Sequence, residues 1–91
     1  MEEEELKIAK QAKVVIEAKP RKETIEILRK ANVMAAKHMT TSSSAGPLND
    51  ARHKIGLALP PLIKALEEGQ STEEKINRAK EAIDTWIKHL G

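Results

Sequence analysis

The chain has no cysteine, no phenylalanine and no tyrosine, and only one tryptophan. Without thiols it can form no disulfide, no thiolate zinc site and no cysteine nucleophile. The redox state of its compartment therefore leaves no trace in the sequence. A core without Phe or Tyr must be packed from Leu, Ile, Val, Ala and Met, which suits helices whose side chains interdigitate in rows. Long hydrophobic runs are also missing, and none approaches the ~20 residues a membrane-spanning helix needs. The acidic start lacks the positive charge and apolar stretch of a secretory signal, so the expected location is the cytoplasm. The four glycines stand apart at Gly46, Gly56, Gly69 and Gly91, so there is no glycine-rich phosphate loop.

Charge of one sign is likewise scarce. A third of the residues are charged (33%), yet the net charge is only +2, and the signs are mixed apart from the run Glu2-Glu3-Glu4-Glu5. That balance favours solubility over attraction to a polyanion. A nucleic-acid partner would call for a concentrated basic stripe, often with aromatics for stacking, and none is present. No membrane partner is expected either. The 91 residues suffice for one domain with a modest core.

What the chain does contain is helical periodicity. In the first segment, about 3–18, Ile8, Ala9, Ala12, Val15 and Ile16 recur at spacings of three and four, one face of an α-helix. The glutamates lie at its start, where unpaired amides and the positive dipole end favour carboxylates. Pro20 then predicts a stop. In the second segment, about 22–39, Ile25, Leu28, Ala31, Ala35 and Met39 form a stripe that Ile27 and Met34 broaden. Residues 40–47, Thr-Thr-Ser-Ser-Ser-Ala-Gly-Pro, read as a flexible loop.

The third segment, about 48–68, carries Leu48, Ala51, Ile55, Ala58, Leu59, Leu62, Ile63 and Leu66 in helical phase across Pro60-Pro61. Prolines inside a helix remove amide donors and clash with carbonyls one turn back. The expected outcome is a helix kinked at the pair, or one that breaks and restarts there. Gly69 predicts a C-terminal cap. Ser71 with Glu74 predicts a capping box opening the fourth segment, about 72–90. There Ile76, Ala79, Ile83, Trp86 and Leu90 alternate at three and four. Four segments of similar length joined by short connections predict an all-α, up-down-up-down four-helix bundle.

Candidate chemistry is thin. None of His38, His53 and His89 has metal-binding spacing. An antiparallel pairing of the second and third helices could bring His38, His53 and Asp50 together as zinc ligands, but polar residues at helix ends explain them more simply. Ser42, Ser43 and Ser44 would need a rigid support and a fixed base to act as nucleophiles, and a loose loop supplies neither. Glu81 and Asp84 are expected to face solvent beside the inward Ile83 and Trp86. No catalytic residue, cofactor or metal site is therefore expected. Trp86, in phase with Ile83 and Leu90, reads as a core anchor rather than a binding hot spot. Met34 and Met39 read as core filler before they read as a soft recognition surface.

Two styles of sequence alternate. Residues 2–31 and 64–90 are rich in Glu, Lys, Ile and Ala, with charges and caps placed by rule. The middle, 32–63, holds the serine run, the Pro-Pro pair and Gly56 within a helical pattern. The flanks resemble a computationally designed or redesigned helical bundle. The run Ile55-Gly56-Leu57-Ala58-Leu59, followed by Leu62-Ile63, is similar to a helix of focal-adhesion-targeting and related vinculin-like four-helix bundles. That resemblance implies a docking module taking a partner amphipathic helix into an interhelical groove.

The resulting expectation is a non-enzymatic engineered bundle that serves as a scaffold, a test of a fold or a protein binder, with the docking module as the alternative. Its partner would be another protein or a helical peptide, and the bundle itself a monomer or homodimer. If it binds, the irregular middle is the place to look: Met34, His38, His53, Gly56, Leu57 and Leu59. Leu57 and Leu59 either leave an apolar patch exposed or widen the buried face.

Overall fold

A computed structural model describes residues 2–41 and 46–91. The chain forms α1 (Glu2–Glu17), a short 3-10 turn (Lys22–Thr24), α2 (Ile25–Thr41), α3 (Pro47–Glu68) and α4 (Glu73–Leu90). Each helix packs against its neighbours in sequence, and α1 closes the ring against α4. The bundle is 37 × 19 × 18 Å, and its long dimension is close to the ~33 Å that the 22 residues of α3 must span. The expected all-α four-helix bundle is the observed fold, and no described helix is long and apolar enough to cross a membrane.

The predicted stripes are the buried faces. Ala9, Ala12 and Ile16 of α1, Leu28, Ala31 and Ala35 of α2, Ile55, Leu59 and Leu62 of α3, and Ala79, Ile83 and Trp86 of α4 form one core. The many buried alanines let the helix axes approach closely, while Trp86, Leu28, Ile55, Leu59, Leu62 and Ile83 fill the space between. As expected, Trp86 is fully buried and Glu81 and Asp84 face solvent.

Several local expectations need correction. The second helix does not end at Met39 but runs on to Thr41, and Pro47 already belongs to α3 as its first residue. Of the expected loop 40–47, only residues 42–45, with the serine run, lie outside the described residues. The third helix needs no such correction: residues 47–68 form a single helix, so of the two expected outcomes the continuous one holds and the chain does not break at Pro60-Pro61. Both prolines are exposed, and the carbonyls one turn back that lose their amide donors belong to Gly56 and Leu57, also on the exposed side, where water can serve them. Leu59, Leu62 and Ile63 stay buried opposite, so the apolar stripe holds the helix together across the defect.

The capping box predicted at Ser71 does not form. Thr72 occupies the N-cap position, without a side-chain cap bond, and its carbonyl accepts from the amide of Ile76 at 2.7 Å. The reciprocal cap sits instead before the 3-10 turn: the Arg21 amide donates to Thr24 Oγ1 at 2.8 Å, and that hydroxyl donates back to the Arg21 carbonyl at 2.8 Å. Gly69 caps α3 as predicted, with φ 67° and the Gln70 amide donating to the Ala65 carbonyl at 2.9 Å. Lys19, which follows α1, takes φ 68° without being glycine.

Candidate functional site

The antiparallel topology gathers the start of α1, the end of α2, the start of α3 and the end of α4 at one end of the bundle. One side chain from each meets there: Glu5, His38, Arg52 and Trp86. Glu5 and Trp86 are fully buried, and Arg52 is 7% exposed. Arg52 grips the Glu5 carboxylate with two bonds, Nε to Oε2 at 2.8 Å and Nη2 to Oε1 at 2.9 Å. The Trp86 indole Nε1 donates to Oε2 at 2.8 Å. His38 Nδ1 lies 3.4 Å from Oε1, completing the ring of four helices.

The electrostatics follow from this geometry. Burial pushes the Glu5 carboxyl pKa up, but the hydrogen bonds from Arg52 and Trp86 and the charges of Arg52 and His38 outweigh it, leaving the pKa below its usual value. Glu5 thus accepts three hydrogen bonds, two at Oε2 and one at Oε1, with His38 Nδ1 beside Oε1. A carboxylate held this way is a weak proton acceptor. The arrangement can fix the register of four helices at one end and has little capacity to turn over a substrate.

Local pattern shows Glu5 as one of four helix-start glutamates and points to no role for Arg52. A signal existed. Glu5 falls in phase with Ala9, Ala12 and Ile16, and Arg52 with Ile55, Leu59 and Leu62, so each charge sits on a core stripe. Opposite charges on the apolar faces of two helices, at levels that antiparallel packing brings together, mark a buried pair.

The residues singled out from sequence scatter. His38 turns inward to Glu5, whereas His53 and Asp50 are exposed on α3. No group of three or more His, Asp or Glu side chains among the described residues is placed to hold a metal ion. Leu57 and Leu59 part company: Leu57 is 64% exposed, and Leu59, expected as part of a possible apolar patch, is fully buried. They lie two residues apart on a helix, about 200° around its axis, and so cannot share a face. Gly56 is exposed, and a side chain added there would meet open space.

Surface depressions flank the core beside α3 and beside α1. Between α3 and α4, adjoining hollows of about 200 and 150 Å³ share Leu57, Ala58 and Arg78. Between α1 and α2 runs a larger groove of about 650 Å³ with Ile8, Val33 and Met34 among its lining. Val33 is 63% exposed, and Met34 is half-buried on the groove wall. No protein-family model, no curated protein and no solved structure matches this chain.

Proposed function

We propose that this protein is a non-enzymatic helical bundle of engineered type whose work is to hold a surface for protein binding. The observation that carries the reading is the division of labour between interior and surface. Glu5, Arg52 and Trp86 are spent on one another inside the bundle, while apolar side chains remain exposed beside grooves. Solvated Val33 and Leu57 contribute nothing to the core, and burying them against a partner is favourable. The rule-like surface charges of the flanking segments support an engineered origin.

The docking-module reading is favoured by one feature of its own. At Gly56 the helix has no side chain, and next to it Leu57 projects into solvent. The prolines a turn later leave the Gly56 and Leu57 carbonyls without helical amide donors, so a partner side chain could donate to them.

The test is a panel of acidic, basic and uncharged amphipathic helical peptides titrated into the isotope-labelled full chain, read by amide chemical shifts. Saturable, localised shifts with at least one class are expected. Silence from every class at millimolar peptide would leave an inert scaffold and end the binding reading.

A further inference from the structure

We infer that the groove between α1 and α2 is a docking site for an amphipathic helix with acidic flanks. The inference rests on the protein-binding reading above and assigns it a face and a partner chemistry. The apolar part of the lining is Ile8 from α1 and the adjacent Val33 and Met34 of α2, with Ile8 and Met34 half-buried and Val33 exposed. Met adapts its shape to the side chain it meets, and a solvated Val beside it offers a branched knob.

The rim is cationic. Lys7, Arg29, Lys30 and Lys37 line the groove against two carboxylates, Glu4 and Glu26. Arg29 is committed, to Glu26 at 2.9 Å and to Glu67 of α3. Lys7 and Lys30, both exposed and on opposite walls, have no ion-pair partner among the described residues. An incoming helix with carboxylates on both flanks of its apolar stripe would meet one of these lysines on each side.

The groove's shape selects a helix over other occupants. Along α2 the lining runs from Glu26 to Lys37, about 16 Å, or three helical turns. Helix-in-groove recognition uses apolar anchors at spacings of three, four and seven over that length. A peptide that binds by strand addition would need a sheet edge, and the described residues contain no strand; a polyproline segment would need an aromatic-lined groove, and no aromatic lines this one. Nucleic acid is disfavoured because Glu4 and Glu26 interrupt the basic rim. A second copy docked groove to groove would set this excess of cations against its own like.

The experiment uses the full chain and two synthetic peptides of about four turns with the same leucines, spaced three and four apart, one with Glu and one with Lys on its flanks. The acidic peptide should shift the amides of Lys7, Ile8, Val33 and Met34 saturably, and bind about tenfold more tightly than the basic one at low salt. The double variant Lys7→Glu/Lys30→Glu should reverse that preference. Val33→Ser should weaken the acidic peptide, while Leu57→Ser should not. All these sites are exposed, so the fold survives the substitutions, which circular dichroism verifies. Shifts centred on Leu57, or equal affinity for both peptides, would overturn the groove assignment and leave the broader binding reading standing. Peptide-free, concentration-dependent shifts in the same groove would name a second copy as the occupant and also overturn the proposal. If neither peptide shifts any resonance, the groove proposal falls, and the uncharged members of the panel then decide the broader reading.

Discussion

The indole of Trp86 donates to the carboxylate of Glu5 at 2.8 Å, across 81 residues of chain, and both side chains are sealed from solvent. This bond ties the last helix to the first at the end where α2 and α3 also contribute His38 and Arg52. A buried ion pair replaced wholly by apolar groups can be neutral for stability, whereas one partner left alone is costly.

Arg52→Met should therefore destabilise the bundle by about 3–5 kcal/mol, because it strands the Glu5 charge in the core. The double variant Glu5→Leu/Arg52→Met should recover much of that loss. Urea denaturation of the parent and both variants measures it. A double variant as unstable as the single one would mean that the pair contributes more than mutual charge compensation.

Trp86→Phe keeps most of the packing and removes one donor from Oε2. The expected cost is about 1.5–3 kcal/mol, the range for a hydrogen bond to a charged group. Thermal unfolding followed by circular dichroism reads it without the lost fluorophore. In the Glu5→Gln background, where the acceptor is no longer charged, the cost of Trp86→Phe should shrink, and an unchanged cost would mean that ring volume rather than the hydrogen bond is responsible.

The depressed Glu5 pKa makes stability depend on acid in a defined direction. The folded state holds this carboxyl below its unfolded value, chiefly through Arg52 and Trp86, against the opposing effect of burial. Its contribution is complete above the ordinary glutamate range and is lost as pH falls through the depressed folded-state value. Urea midpoints measured from pH 7 down to pH ~2 should decline for the parent more steeply than for Glu5→Gln. Parallel declines would show that other carboxylates carry the acid sensitivity.

Glycine substitutions should have opposite signs at two sites on the same helix. Gly56 lies inside α3 with open space around it, so Gly56→Ala should stabilise by about 0.5–1 kcal/mol through helix propensity. Gly69 holds φ 67°, so Gly69→Ala should destabilise by about 1 kcal/mol or more even though it too meets no neighbour. By the same reasoning Lys19→Gly, at φ 68°, should stabilise modestly. Denaturation midpoints for the three variants settle the signs, and a stabilising Gly69→Ala would contradict the left-handed cap.

The helix count, the antiparallel order and most of the core were written in the sequence, because a stripe repeating every three or four residues can be buried only on one side of a helix. Ile83 and Trp86 could be placed inside from α4 alone, and Gly69 could be read as a cap from local chemistry. The tertiary structure decided how charge is held in the core. The phase of α1 already singles out Glu5 among the four glutamates, but what meets its carboxylate depends on what the other three helices present at that level, and a lone helix carries no record of Arg52, His38 or Trp86. Helix geometry alone separates Leu57 from Leu59, but the tertiary structure carried α3 through two prolines, since burial along the opposite face decides whether a weakened helix breaks. Local pattern fixes how a segment coils, while the meeting of segments distant in sequence fixes which side chains face one another.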